Sequence, residues 1–295
     1  MDYIAHILTS IAIYMILASS LDLSAGYLGR VSICHAAYYG IGAYAASLLS
    51  LSWSCPFVVA VMGAVAICLV LGGLVGMLTL KATRDLYVMS TFAFQVVALG
   101  VLNNWVSLTG GPAGLPGIPE PKIFWWVVDS HWDYLLLSAT LAGLILAVSF
   151  RLARSPFGRV LMAIREDEIF ALSAGKNVAV YKVLVFAIGA GMASVAGAVY
   201  AYYVSFIDPT SFTVMESIFI ISIVIIGGAG SFWGPVVGAV VLVTLPEILR
   251  FIGLPSSVAA NIRQILYGGL LVLFMMLRPQ GLMGKYAFGK GGTGK

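Results

Sequence analysis

The side chains of this sequence that could do chemistry are few and lie far apart. Its three histidines are scattered over 295 residues, and neither a Ser/His/Asp arrangement nor an HExxH motif is present. The three cysteines, Cys34, Cys55 and Cys68, lie in or beside apolar segments without the Cys/His spacing of a zinc site, so we expect packing residues. The sequence therefore predicts neither an enzyme nor a metal-binding protein.

The sequence also lacks an ATP site of its own. It contains no GxxxxGK[ST] motif, whose main-chain amides and lysine hold phosphates. The terminal GKGGTGK resembles that motif superficially, but we interpret residues 286–295 as a flexible basic tail with no helix after it. No cofactor is expected in this chain, and any hydrolysis of ATP must be done by another chain.

Polar residues within otherwise apolar segments are the candidates for a translocation path, because they are costly in a membrane and often functional. They lie in pairs about one helical turn apart or side by side, so the members of a pair share a face or a helix end. The candidates are Ser32, His35, Thr91, Gln95, Asn103 and Asn104. The structural alternative, in which such residues hold helices together, stays open.

A loop rich in glycine and proline follows the two asparagines. Its sequence, TGGPAGLPG, predicts a compact shape, and we interpret it as an outer gate or a docking surface for another protein. The residues that would form this surface are Thr109, Gly110, Gly111 and Gly114.

Residues 151–182 form the one long polar stretch between apolar segments. Ser155 is a good helix N-cap, Pro156 suits the first helical position, and Gly175 provides a stop, so we predict one amphipathic helix. One predicted face holds Phe157, Leu161, Ile164, Glu168 and Ala171, and the other sides hold Arg159, Arg165, Glu166 and Asp167. The acidic cluster would be repelled by anionic lipid, which favours a protein partner over the membrane surface.

The composition requires a membrane around these segments. Hydrophobic residues make up 61% of the chain and charged residues 9%, with a mean hydropathy of +1.02. A soluble domain carries about 25% charged residues. We predict an all-α membrane protein with about nine spans (range 8–10), each near the roughly 20 residues that cross a bilayer. The predicted spans are 3–23, 31–50, 57–80, 86–107, 134–150, 182–204, 213–229, 235–252 and 262–277.

The basic residues predict the orientation of these spans, because Lys and Arg collect in cytoplasmic loops. Placing 151–182 in the cytoplasm puts all but three of the 16 basic residues there, the exceptions being Lys122, Arg250 and Arg263. The N-terminus is then outside and the C-terminus inside. We predict one transmembrane domain over 1–285, with 31–50 and 213–229 as possible re-entrant segments.

Two smaller expectations concern the predicted loops and helix ends. Asp22 and Arg30 flank the turn between the first two spans, so we expect them to pair with each other, and we assign no special role to Glu216 and Glu247. GYLGRVS before the second span and GGAGSFWGP before the eighth indicate a possible internal parallel repeat.

Five motifs in order resemble those of the LivM-type permease family of branched-chain amino acid importers. They are GYLGRVSICHAAYYGIGAYAA (26–46), LNNWVSLTGGPAGLPGIP (102–119), FGRVLMAIREDEIFALSAGKNVAVYK (157–182), SFIDPTSFTVMESIFIISIVIIGGAGSFWGPVVGA (205–239) and LRPQGL (277–282). The resemblance covers nearly the whole chain. Cys34 departs from it, since relatives usually have Gly before the histidine.

The resemblance implies a multi-pass protein of the bacterial inner membrane that works in a complex. Its partners would be a second, LivH-type permease, two ABC ATPases that bind ATP and Mg²⁺, and an external substrate-binding protein, with no nucleic acid. Residues 156–175 would dock on an ATPase, and the small residues from Ala171 to Gly175 would allow close approach. The substrate would be a branched-chain amino acid or a related small amino acid or amide.

The alternative from a different class is a secondary transporter or channel that acts alone. An ion-coupled carrier is expected to bury carboxylates near the middle of the bilayer. Nearly every carboxylate here lies at a predicted helix end or in a loop, which favours the ATP-driven permease.

Overall fold

A computed structural model describes residues 2–123, 126–250, 268–269, 272–273, 276 and 280–284, and in that part the chain is nearly all α-helical. The helices are α1 Asp2–Asp22, α2 His35–Trp53, α3 Phe57–Leu78, α4 Arg84–Asn104, α5 Val106–Thr109, α6 His131–Arg154, α7 Pro156–Glu166, α8 Glu168–Ser173, α9 Val178–Val204, α10 Val214–Gly227 and α11 Gly234–Arg250. A π-helical turn, Leu23–Tyr27, continues α1, and 3₁₀ turns cover Gly111–Ala113 and Pro209–Phe212.

Four two-residue strands form two small antiparallel pairs. The strands are β1 Leu115–Pro116, β2 Lys122–Ile123, β3 Trp126–Val127 and β4 Phe206–Ile207. β1 pairs with β4, with Leu115 opposite Ile207, and β2 pairs with β3, with Lys122 opposite Val127. The first pair ties the loop after α4 to the end of α9.

The described residues include five helical segments long and apolar enough to cross a membrane: Asp2–Tyr27, Phe57–Leu78, Asp85–Asn104, His131–Arg154 and Val178–Val204. They correspond to five of the predicted spans. The predicted span 31–50 corresponds to α2, and 213–229 and 235–252 correspond to the shorter apolar helices α10 and α11. The predicted span 262–277 falls largely, and the tail 286–295 wholly, outside the described residues, so the count of nine stays a prediction.

The helices pack in two groups. α2, α3 and α9 pack closely on one another, and α1 packs on α6, α10 and α11. α1 also packs on α9 as extensively as it packs on α11, and this joins the two groups. Small residues permit the close approach within the first group. A side chain built on Gly42 of α2 would lie 2.6 Å from Cβ of Ser194 on α9, and one on Gly72 of α3 would lie 2.5 Å from Cβ of Ala190.

Contacts between helix ends define two ends of the molecule. The strand end holds β1–β4 and the start of α1, where Tyr3 donates to Glu247 and Nδ1 of His6 lies 2.6 Å from the Tyr203 hydroxyl. The α8 end holds the π-helical turn of α1, α7, α8 and the turn between α10 and α11. Residues 282 and 283 hydrogen-bond to the last carbonyls of α10, so they also lie at the α8 end.

Candidate functional site

The helix α7 begins as its sequence predicts. Oγ of Ser155 accepts a hydrogen bond from the Gly158 amide at 3.5 Å, and Pro156 occupies the first turn. Leu161 and Ile164 are buried on one face of the helix. The helix α7 therefore has an N-cap and one buried face, and it begins directly after α6 ends.

The prediction of one continuous helix from Pro156 to Gly175 is wrong, because the helix breaks at Asp167. This residue has an extended backbone (φ −152°, ψ 109°), and its Oδ1 accepts hydrogen bonds from Ile169 N at 2.8 Å and Phe170 N at 3.0 Å. An aspartate that caps a new helix competes with continuation of the old one. The five residues predicted to share one face are consequently divided between α7 and α8.

The outer side of α8 is an exposed apolar surface. Ile169, Phe170 and Leu172 are 76%, 67% and 53% exposed, whereas Ala171 between them is only 2% exposed and faces the chain itself. Sequence reasoning did not select the three exposed residues, although three large apolar residues directly after an acidic cluster were a usable signal. We call Ile169, Phe170 and Leu172 the α8 surface.

Gly175 ends α8 by its backbone conformation. Its φ is +74°, and the hydrogen bonds from Gly175 N to Leu172 O (2.9 Å) and from Lys176 N to Ala171 O (3.1 Å) form a Schellman motif. Among the described residues, no atom outside its two chain neighbours lies within 4 Å of a side chain built at this glycine. Within this chain, then, Gly175 is needed for the turn, and its close approach to a partner stays a prediction.

Ion pairs attach the start of α8 to other elements. Glu168 Oε1 lies 2.5 Å from Lys182 Nζ on α9, and its Oε2 lies 3.5 Å from a guanidinium nitrogen of Arg30. The Arg30 guanidinium also lies over the Tyr87 ring of α4, 5.2 Å from the ring centre. Lys182 is only 6% exposed, so its charge depends on this carboxylate for compensation.

The expected pair between Asp22 and Arg30 is wrong. Asp22 is buried and accepts a hydrogen bond from Gly230 N at 2.8 Å, in the turn between α10 and α11. The π-helical turn after Asp22 and a left-handed Gly29 (φ +74°) carry the chain away, so that Arg30 reaches Glu168 instead.

The remaining predicted residues of the segment divide into attached and exposed positions. Arg165 donates to the Gly26 carbonyl in the π-helical turn of α1. The Phe157 ring stacks on Tyr181 with ring centres 5.4 Å apart. Arg159 and Glu166 are exposed, as is the α8 surface.

Two of the predicted path residues hold the start of α2. Gln95 accepts from Ala37 N at 2.7 Å and from Ser217 Oγ at 3.2 Å, and donates to Phe212 O at 2.9 Å. Thr91 accepts from Ile33 N at 3.2 Å. Amides before and in the first turn of a helix have no partner within the helix, and these buried side chains of α4 supply partners for them.

The other path candidates lie at opposite ends of the molecule. Ser32 Oγ is 3.1 Å from Cys34 Sγ, and His35 is buried, with Nε2 3.8 Å from a side chain built at Gly189 of α9. The structure therefore brings Ser32, His35, Thr91 and Gln95 together around the start of α2. Asn103 and Asn104 lie at the strand end and donate to carbonyls of their own helix at 3.0 and 2.8 Å.

The loop after α4 has the compact shape that its sequence predicts. Thr109 is buried, donates to Leu102 O at 2.7 Å and accepts from Gly111 N at 3.2 Å. Gly110, Gly111 and Gly114 all have positive φ, between 59° and 73°. A side chain at Gly114 would overlap the Ile207 carbonyl oxygen, so the loop lies directly on β4.

These features define a class: a multi-pass helical membrane protein with an attached helical segment that presents an apolar surface at one end. The profile of the family described as "Branched-chain amino acid transport system / permease component" matches residues 3–275. The chain belongs to this family of permeases, and it is a permease subunit of an ABC importer.

The relatives are permeases of both kinds found in such systems. The LivM protein of Escherichia coli K12, named a high-affinity branched-chain amino acid transport system permease, is 33% identical over 94% of this chain and 69% of its own length. A probable LivM of Methanocaldococcus jannaschii is 27% identical over 96% of this chain and 93% of its length. The LivH protein of E. coli K12 is 24% identical over 92% and 91%. No solved structure matches this chain.

Proposed function

We propose that this permease imports branched-chain amino acids, or a related small amino acid or amide, by alternating access driven by separate ATPase subunits. The observation that carries the ATP-driven part is the exposed apolar α8 surface on a segment attached by ion pairs to the membrane helices. The substrate class comes from the names of the LivM and LivH relatives. A further relative, 27% identical over 61% of this chain, is named for autoinducer 2 import, so the names of the relatives do not agree on one solute.

In the proposed orientation the α8 end is cytoplasmic. Nine basic residues of the described part of the chain belong to this end, which follows the enrichment of Lys and Arg in cytoplasmic loops. They are Arg30, Lys81, Arg84, Arg151, Arg154, Arg159, Arg165, Lys176 and Lys182. Nine spans, a single domain over 1–285, an outer N-terminus and an inner C-terminus complete the arrangement, in the inner membrane of a bacterium.

The proposed partners are a second, LivH-type permease, two ABC ATPases and an external substrate-binding protein. ATP and Mg²⁺ would be bound by the ATPases alone, with none in this chain. The α8 surface, with the exposed Arg159, Glu166 and Asp167, would enter a groove on one ATPase, and Gly175 would permit close approach. Large apolar residues that are desolvated at the centre of an interface contribute most of its affinity.

At the strand end, the loop containing Thr109, Gly110, Gly111 and Gly114 would receive the binding protein, since its shape is fixed before any partner arrives. The path between the two ends would pass the polar residues of α2 and α4. In this proposal Ser32, His35, Thr91 and Gln95 lie toward the inner part, and Asn103 and Asn104 lie toward the outer part.

The test is purification and reconstitution of the transporter. Tagged chain extracted in mild detergent is expected to copurify with a second permease and two ATPase polypeptides. In proteoliposomes, the complex should accumulate labelled leucine only with ATP inside and the binding protein outside. ATP-independent uptake by the chain alone would contradict this proposal and support the alternative, a secondary transporter or channel.

A further inference from the structure

The α7–α8 segment is attached to the membrane helices at two points, one on each side of the break at Asp167. Before the break, Arg165 donates to the Gly26 carbonyl in the π-helical turn of α1. Asp22 at the start of that turn accepts from Gly230 N at 2.8 Å. The first attachment therefore reaches α1 and the turn between α10 and α11, which belong to the same packing group.

After the break, Glu168 provides the second attachment, and it reaches different helices. Its carboxylate lies 2.5 Å from Lys182 on α9 and 3.5 Å from Arg30 in the connection to α2. Arg30 in turn lies over Tyr87 of α4, a ring that is 2% exposed. Lys182 belongs to α9, in the other packing group, while Arg30 N donates to Ser24 O in the π-helical turn of α1, so the second attachment reaches both groups.

We propose that Glu168 is a positioning residue for energy coupling, which transfers displacement of α8 to α9 and to the connection between α1 and α2. The inference rests on the proposed function, because it assumes that a partner ATPase moves α8. Arg165 keeps the end of α7 on α1 while the extended Asp167 lets α8 change its angle to α7. Movement of α8 then changes the position of one helix group relative to the other at this end.

The physical basis is the burial of Lys182. Only 6% of Lys182 is exposed, so its ammonium group would be a costly unpaired charge without a carboxylate beside it. Lys182 therefore follows Glu168 when α8 moves. Ile169 and Phe170 of the exposed α8 surface lie on other sides of α8 than Glu168, and a partner would push there. A helix of six residues thus has one apolar side for a partner and one carboxylate that binds both α9 and the α1–α2 connection.

The experiment compares transport with ATP hydrolysis in the complete reconstituted complex. Glu168→Gln keeps the size of the side chain but removes its charge. We expect ATP hydrolysis to continue while substrate transported per ATP falls about fivefold or more, the lower range of coupling between sites. The exchange variant Glu168→Lys with Lys182→Glu restores an attractive pair, and we expect it to recover at least about half of the lost ratio. The control is Asp85→Asn, an exposed carboxylate on α4 at the same end, which should leave the ratio unchanged.

Two outcomes would overturn the inference. Equal loss of transport and hydrolysis in Glu168→Gln would indicate a structural role only, and unchanged rates of both transport and hydrolysis would indicate no role. If the exchange variant does not assemble, Lys182→Met takes its place as the second test. It breaks the same ion pair and should also lower the amount of substrate transported per ATP. If the unaltered complex itself fails to transport amino acids with ATP, the proposed function fails, and that result is seen before any variant is made.

Discussion

The loop after α4 and the α7–α8 segment, which lie at opposite ends of this permease, are held by different kinds of interaction. At the strand end, the loop after α4 is fixed by positive-φ glycines, main-chain hydrogen bonds and the pairing of β1 with β4. At the α8 end, long charged side chains reach between elements far apart in sequence, as Arg165 does to Gly26 and Glu168 does to Lys182 and Arg30. Backbone conformation fixes a single shape, whereas ion pairs between helices can be displaced together.

This difference agrees with the tasks proposed for the two ends. A receptor surface for a binding protein gains affinity when its shape exists before binding, because less ordering is then required. A segment that transmits movement needs firm attachments on either side of a break, and Asp167, where α7 ends and α8 begins, lies between two such attachments. We expect substitutions at the strand end to reduce stability and substitutions at the α8 end to separate transport from hydrolysis.

The largest expected effect is at Gly114. In Gly114→Ala the new methyl group would overlap the Ile207 carbonyl oxygen and would also require φ +71° of a non-glycine residue. The backbone conformation of Gly114 (φ +71°, ψ −171°) is used essentially by glycine alone and costs another residue about 1–3 kcal/mol, and the overlap costs about 1–3 kcal/mol more. Thermal unfolding of the purified protein in detergent should show this loss as a lower midpoint.

Gly117 supplies a matched control for that measurement. Its φ is +75°, but in the part of the chain that the structure describes no atom beyond its two chain neighbours lies within 4 Å of a side chain built there. Gly117→Ala should therefore lose only the backbone part, about 1–2 kcal/mol. Equal midpoints for the two variants would show that contact with β4 does not fix this loop.

The features that could be predicted from sequence are those with local causes. Ser155 and Pro156 begin α7, and Gly175 ends α8, because capping and left-handed turns depend on residues within one helical turn. The apolar segments predicted most of the described membrane helices for the same reason. The break at Asp167 also has a local cause but could not be predicted. An aspartate inside a helical pattern is compatible both with an exposed position in one helix and with the N-cap of a new helix.

The features that could not be predicted join residues distant in the chain. Gln95 binds the main chain of Phe212, and Asp22 binds that of Gly230, although nothing near either residue in sequence indicates the partner. The expected pairing of Asp22 with Arg30 relied on closeness in sequence and failed for that reason. Which polar residue faces the path and which supports a helix depends on packing that periodicity does not specify.

The next largest effect is expected at the ion pair of Glu168. Glu168→Ala leaves the buried Lys182 without its closest carboxylate. Removing one partner of a fully buried pair costs about 3–5 kcal/mol, and since the Glu168 side chain is 43% exposed we expect about 1–2 kcal/mol here. The measurement is again thermal unfolding in detergent.

A double-mutant cycle separates the pair from its surroundings. Adding Lys182→Met to Glu168→Ala removes the unpaired charge and should recover part of the stability. Glu166→Ala, at an exposed carboxylate two residues before Glu168, should change the free energy of unfolding by less than about 0.5 kcal/mol. Additive effects of the two substitutions would mean that the ion pair contributes nothing, and the contrast between the ends would lose its main support.

A smaller effect, on binding alone, is expected for the α8 surface. Phe170→Ser removes a ring that is 67% exposed in this chain, so the stability of the isolated permease should hardly change. The dissociation constant for the partner ATPase should rise about tenfold, as for loss of a moderate interface residue. Trp53→Ser, at a similarly exposed aromatic residue of the strand end, should not alter ATPase binding. Equal weakening by both variants would place the ATPase contact elsewhere.

The smallest effect is expected at Asn104, which tests whether the strand end contributes to the path. Its amide donates to Gly100 O within α4, and Ser90 at the other end of the same helix makes the equivalent bond to Leu86 O. Both side chains are exposed, so Asn104→Ala and Ser90→Ala should each change stability by less than about 0.5 kcal/mol. Only Asn104→Ala should raise the KM for uptake, by about threefold, which corresponds to one neutral hydrogen bond to the substrate. If the two variants have the same KM as the unaltered complex, Asn104 belongs to the helix alone, and the outer path must be sought on a different face of α4.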